Sequence, residues 1–337
     1  MSLRRLLFTG CLLLSSCEQA PSGVDALETY IARLSGATEV AAEPLTSTHR
    51  WEPPKASQSA IPAAEQIDLI DFLSLSGCEL QVNLGRRNSQ LGRSASPSQR
   101  LILDLEFMQW APACARFLRE QDNAALAATI ERASEQRQRW LPLSIREAIL
   151  SGPEWESFWS TPTTLDHYPQ DTDSTIVQTL TQLTQMVRRW LGGDWVASNR
   201  DFELLLSELR AGDGGALLLS MDQVARQLTR ANDLLTRANR EKPLCPFGRQ
   251  TDRSRAVEAV VQRFFVGELQ PWLVQLRQRK ELLSASIAAL EAPLIDVQSE
   301  QYREWVRRRD ALLESQGDLI RNHVHVIQQV LSHCGSA

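Results

Sequence analysis

Two apolar stripes in the last third of the chain restrict its fold more than any other feature. Val257, Val260, Val261, Phe264, Leu269, Leu273, Leu276, Leu283, Ile287 and Leu290 form the first, and Tyr302, Trp305, Leu312, Leu319, Ile320, Ile327 and Val330 the second. Their spacing clusters each set on one side of an α-helix and does not fit the two-residue period of a strand. At 1.5 Å per residue each helix reaches about 50 Å. A turn near Pro293 makes them an antiparallel hairpin whose open end brings Cys245 and Cys334 together. Pro271 interrupts the first arm: its ring presses on the carbonyl of Gly267, where the missing side chain eases a kink.

Helical spacing continues upstream, and the fold class expected is all-α, an elongated helical bundle. Val24, Leu27, Ile31 and Leu34 follow a Ser22 N-cap and precede Gly36, which is placed to end a short first helix. From Ala42 to Ala64, Pro44, Pro53, Pro54 and Pro62 describe an extended linker that Trp51 docks. Between Ile67 and Leu84 two patterns compete. Ile67, Ile70 and Leu73 suggest a helix, Leu80, Val82 and Leu84 alternate like a strand, and we read the stretch as helical. Ser98 to about Leu118 reads as a helix that Pro112 should kink or end early, and a second runs from about Asn123 to Trp140. Another runs from about Thr175 to Leu191, capped by Asp173 or Ser174 and stopped by Gly192-Gly193, and two more flank Gly212-Asp213-Gly214-Gly215. Pro142, Pro153, Pro162 and Pro169 bracket an irregular stretch holding Trp155, Phe158, Trp159 and Tyr168. Aromatics concentrated in a loop either meet a ligand or pack on the core. The stretch is the best candidate for a functional surface, with packing the favoured alternative.

The amino terminus carries an address. Arg4 and Arg5 precede the apolar run Leu6 to Leu14, and Leu14-Ser15-Ser16-Cys17 follows the pattern of a bacterial lipoprotein signal. The apolar core falls short of the roughly 20 residues of a spanning helix. Cleavage would leave Cys17 carrying a diacylglycerol and an acylated amine, with palmitate the expected acyl group. Cys11 is the weaker acceptor because the apolar run before it is too short. Glu18 lacks the aspartate of the commonest inner-membrane retention signal, so the expected site is the periplasmic face of the outer membrane. The domains expected are 1–17 signal and lipidation site, 18–65 short helix and Pro-rich surface linker, and 66–337 an all-helical periplasmic domain.

Removing Arg4 and Arg5 leaves 34 basic and 41 acidic residues, a net of −7, which argues against nucleic acid as a partner. Only Lys55, Lys242 and Lys280 are lysines, and genomic base composition accounts for the arginine bias better than a guanidinium-based site does. Four cysteines remain beyond the lipid site, an even count that suits two disulfides in an oxidising compartment. Of the three connectivities we choose Cys78–Cys114 and Cys245–Cys334, because the helical hairpins put each pair at neighbouring ends.

A search for chemistry leaves little. His323 and His325 are two apart and cannot form the i, i+4 pair of a zinc protease; His323 falls on an apolar stripe, as a satisfied boundary histidine would. Asp166, His167, Asp171 and Asp173 share the aromatic loop but lack the glycine and closing glutamate of a calcium loop. We assign no catalytic residue, no metal ligand and no cofactor. The remaining candidates for binding are Arg86, Asn88, Arg93 and Arg100, which with Arg87 make a donor-rich group for a carboxylate or phosphate. The favoured alternative is a turn at Asn88 and Gly92, with the arginines serving helix ends and surface acids.

Arg86-Arg87-Asn88-Ser89-Gln90-Leu91-Gly92-Arg93, then Pro97-Ser98-Gln99-Arg100, then Cys114, resembles an uncharacterised family of proteobacterial lipoproteins known as a domain of unknown function. Cys245-Pro246, Phe264-Phe265-Val266-Gly267-Glu268-Leu269-Gln270-Pro271 and His333-Cys334-Gly335 fit the same resemblance. It implies a periplasm-facing lipoprotein and supplies no activity, substrate or site residue. The function expected is a non-enzymatic interaction or assembly module, held to the membrane by its lipid and meeting an envelope protein partner. The alternative is an enzyme or ligand-binding protein acting on cell-wall or envelope fragments.

Overall fold

The computed structural model describes residues 22–45, 51–55, 69–170, 172, 175–332 and 334. The signal, Cys17, parts of the linker, Asp171 and the expected caps Asp173 and Ser174 lie outside them. Among the described residues every regular element is helical. The chain is all-α.

The first helix, α1 (Gly23–Thr38), opens on Ser22, whose Oγ accepts from the Asp25 N–H at 3.2 Å. It buries Leu27, Tyr30, Ile31 and Leu34. It does not stop at Gly36: Thr38 Oγ donates to Leu34 O, and the stop is Glu39, in a left-handed conformation with φ of 58°. In the segment expected to be a linker, Trp51 O accepts from the Trp305 indole at 2.8 Å.

Helices α2 (Leu69–Ser74), α3 (Glu79–Asn88) and α4 (Gln90–Arg93) resolve the ambiguous stretch. Leu80 and Leu84 are buried one helical turn apart, whereas Val82 is 60% exposed. Next come α5 (Pro97–Glu120) and α6 (Ala124–Ile149), which pack on each other along their length. A capping box of Ser96 and Gln99 starts α5. Pro112 neither ends nor shortens it, and α6 runs through Pro142 and nine residues beyond Trp140. Each proline costs one intrahelical hydrogen bond and strains the turn before it. Pairing of the two helices, with Cys114 bridged to Cys78, holds the chain helical across them.

The aromatic stretch folds into α7 (Pro153–Phe158), and α8 (Thr175–Leu191), α9 (Asn199–Arg210) and α10 (Gly214–Glu241) follow. The glycines between α9 and α10 serve close approach. A Cβ on Gly215 would stand 1.9 Å from Ser160 O.

Then come α11 (Asp252–Val260), a π-helical segment (Val261–Leu269), α12 (Gln270–Glu291), a 3-10 turn (Ala292–Val297) and α13 (Glu300–Leu331). The π segment stands where a kink was expected before Pro271. With no N–H on the proline, the backbone widens to i→i+5 bonding, and the Gln270 N–H reaches Phe265 O. Gly267 is not required sterically: a Cβ there would meet Gln262 O at an ordinary 3.5 Å. The chain does reverse next to Pro293, but α13 packs chiefly along α10 and α12 chiefly along α8. The two arms of the expected hairpin instead flank a cleft.

Both disulfides pair as expected, with Cα–Cα separations of 5.4 Å for Cys78–Cys114 and 5.2 Å for Cys245–Cys334. One apolar core joins α1, the inner ends of α5 and α6, and α7 to α13. A smaller one joins α3 to the outer ends of α5 and α6.

Candidate functional site

Packing claims the aromatic stretch. Pro153 and the short α7 turn Trp155, Phe158 and Trp159 inward, where all three are buried and stack on one another and on Trp305. They form the back of a polar clasp. Trp155 Nε1 donates to the Tyr302 hydroxyl at 3.0 Å, and that hydroxyl donates to Glu291 Oε1 at 2.7 Å. Arg309 closes the clasp with two 2.8 Å bonds to the Glu291 carboxylate and a third, from Nε, to Asp310. Its guanidinium lies over Trp305 at 5.0 Å and Trp159 at 5.2 Å. Burial, followed by the charge of Glu291, pushes the Tyr302 phenol well above its ordinary range. Burial works to lower the Arg309 pKa, but Glu291 outweighs it and the guanidinium stays charged. With its acid engaged at both oxygens, the clasp joins the end of α12 to α13 and has no group free for proton transfer.

Arg309 of the clasp lines a cleft of about 330 Å³ between α12 and α13. Ile287, Ala288 and Leu313 make its apolar base, and Lys280, Glu281, Asp310 and Glu314 make a rim of both signs. Ser284 Oγ, on the same wall, is buried with no hydrogen-bond partner. Glu281 is held by Arg277 at 2.8 Å and Asp310 by Arg309, so Lys280 and Glu314 are the rim charges without a salt bridge among the described residues.

The arginine candidates do not converge. Arg86 pairs with Glu106 at 2.8 Å, Arg100 Nε donates to Ala95 O at 2.8 Å, and Asn88 and Arg93 are exposed. The stronger network beside them joins Arg87, one of the candidates, to residues that sequence reasoning did not select. Asp104 receives Arg87 and Arg137, Arg137 lies 3.8 Å over the Phe107 ring, and buried Asn83 donates to Leu103 O and Glu106. Burial lowers the Arg137 pKa, opposed by Asp104. Asp104 and Glu106 flank the buried face of α5, and that was the available signal.

His323 is fully buried, not at a boundary. It lies 2.9 Å from the Tyr30 hydroxyl and 2.6 Å from Asn232 Oδ1, with the Phe265 ring of the π segment edge-on at 4.8 Å. Asn232 Oδ1 can only accept, so Nδ1 carries the proton and Nε2 accepts from Tyr30. Burial pushes the imidazole down to about 4 and the phenol up. His325 is exposed, and His167 lines a separate hollow beside Ser22. No group of three metal-ligating side chains occurs among the described residues.

A family model, described as protein of unknown function (DUF3080), matches residues 27–337. The chain belongs to the DUF3080 family. The match begins within α1 and takes in the clasp, the cleft, the arginine segment and both disulfides of this DUF3080 protein. No curated protein and no solved structure matches the chain.

Proposed function

We propose that this DUF3080 protein is a lipid-anchored interaction or assembly module on the periplasmic face of the outer membrane, and that it receives its partner along the α12–α13 cleft. The observation that carries the reading is the cleft itself: an open trough between two long helices, apolar at its base, charged with both signs at its rim and backed by a clasp whose acid is fully engaged. Such a trough suits an amphipathic helix that lays an apolar ridge on exposed Ala288, above the buried Ile287 and Leu313, and offers opposite charges to Lys280 and Glu314. Ser284 adds a hydroxyl that such a partner could satisfy. The arginine segment supports ligand binding less well, since Arg86 and Arg100 are engaged within the chain. The Cys17 signal supports the anchor, and among the described residues no helix is long and apolar enough to cross a membrane.

A photo-cross-linker at exposed Ala288 tests the reading in cells. The expected adduct maps to an amphipathic helical segment of one envelope protein and disappears when the rim charges are exchanged by Lys280→Glu with Glu314→Lys. An adduct indifferent to that exchange, or no adduct, overturns the cleft as the docking site. Intact mass of the native protein tests the anchor separately: an unmodified Cys17 removes it.

A further inference from the structure

Pro246-Phe247-Gly248-Arg249 is a tight turn between α10 and α11, closed by a bond from the Arg249 N–H to Pro246 O at 3.1 Å. Its two central residues have φ of 56° and 73°, the backbone for which Asn-Gly is the favoured pair. A phenylalanine is an uncommon occupant of that conformation. Among the described residues nothing packs on the ring to offset the strain: Phe247 is 99% exposed, the highest value among the large apolar side chains described. The turn is nonetheless held firmly. Cys245 is bonded to Cys334, Leu244 N–H donates to Asn239 Oδ1 at 3.1 Å, and Thr251 Oγ donates to Leu244 O at 2.7 Å. An aromatic ring presented to solvent on a strained, stapled pedestal serves something outside the chain.

Charge says what kind of surface that is. Residues 239–255 hold five arginines and lysines, which with Glu241, Asp252 and the neighbouring Glu39 and Glu258 leave a local net of +1 in a chain whose net is −5. Asp252 is taken by Arg255, and the nearby Glu39 by Lys242 and Arg253. Exposed Arg240 and Arg249 have no acid partner among the described residues. An aromatic knob with a cationic fringe fits the interface of an anionic bilayer, where the ring enters beneath the headgroups and the cations meet phosphates.

We propose that the Phe247 turn is a second membrane contact, which lays the α1 side of the domain against the bilayer that holds its lipid. The proposal rests on the Cys17 anchor. The five residues from Cys17 to Ser22 span at most about 18 Å, and the 16 residues of α1 add about 24 Å. The turn stands at the far end of α1, where Arg253 Nη2 donates to Thr38 O and Lys242 reaches Glu39. It is therefore within reach of the same leaflet.

The experiment uses the full lipidated chain carrying Phe247→Trp in vesicles of phosphatidylethanolamine and phosphatidylglycerol, with the wild-type emission subtracted. The expected result is a blue-shifted difference spectrum, quenched by brominated lipid, with both effects weakened when phosphatidylcholine replaces phosphatidylglycerol. A protein that floats with the vesicles while the emission of the introduced indole stays water-like overturns the contact and leaves the anchor standing. A shift that appears only on adding envelope protein assigns the ring to a protein pocket and also overturns it. Failure to float in any lipid overturns both.

Discussion

His323 carries the clearest chemical consequence at the scale of one side chain. Its neutral form fits between a phenol donor and an amide acceptor, and a proton on Nε2 would force the Tyr30 hydroxyl to accept where it now donates and would bury a charge among apolar rings. The folded pKa of about 4 lies below the unfolded value of about 6.5, so between them the unfolded chain binds more protons. The contribution is complete above pH 6.5 and is lost as the pH falls toward 4, by about 3 kcal/mol in all. Urea unfolding at steps from pH 7 to pH 4 should show that fall, and His323→Gln should flatten it; equal slopes in the two proteins would count against the assignment. Glu291 offers a second measurement. Glu291→Ala leaves Arg309 charged, buried and without its bidentate partner, an expected loss of about 3–5 kcal/mol. Adding Arg309→Met should recover part of it. A double variant less stable than the single would show that the arginine is held by its tryptophans and not by the acid.

At the scale of elements, α3 is fastened to α5 and α6 by charges that differ in burial. Arg86 is half exposed, and Arg93 and Arg100 are exposed, so their joint replacement by alanine should cost no more than about 1 kcal/mol per ion pair removed and leave cross-linking at Ala288 unchanged. Arg137→Ala should cost about 2–3 kcal/mol, because it leaves Asp104 with Arg87 alone and uncovers the Phe107 ring. Thermal melts of the two variants decide between a surface patch and a staple. The Cys245–Cys334 bridge closes a separation of 89 residues and fastens the end of α13 to the start of the Phe247 turn. Chain entropy assigns it about 4.5 kcal/mol. Replacing both cysteines with serine should lower stability by that order and speed proteolysis after Leu331; a melt that does not move would mean that packing of α13 on α10 suffices.

At the scale of the whole molecule, the described residues form two apolar cores of unequal size, joined by the continuous helices α5 and α6. The smaller holds few large side chains, so local opening there should need less free energy than in the main core. Hydrogen exchange should therefore be faster in α3 and the outer halves of α5 and α6 than in α10 and α13, and faster still with Cys78 and Cys114 replaced by alanine. Uniform protection would make the two cores one cooperative unit.

Helix positions were readable wherever the signal was local. The period of apolar residues, the Ser22 cap and the Ser98 and Thr175 starts depend on residues within one or two turns, and the structure keeps them to within a residue or so where it describes them. The Cys78–Cys114 pair follows from neighbouring helix ends, whereas Cys245 meets Cys334 because α13 packs along α10 and their ends lie together. Pro112 and Pro142 misled for the same reason: their local cost is real, but it is outweighed by pairing with a helix that no local window contains. The partner of α13, the burial of the α7 aromatics, the His323 hydrogen bonds and the meeting of Glu291 with Arg309 all depend on how each helix is rotated against the others. That rotation is set by packing summed over the core, so only the tertiary structure decided which polar residues became clasps and which side chains stayed exposed.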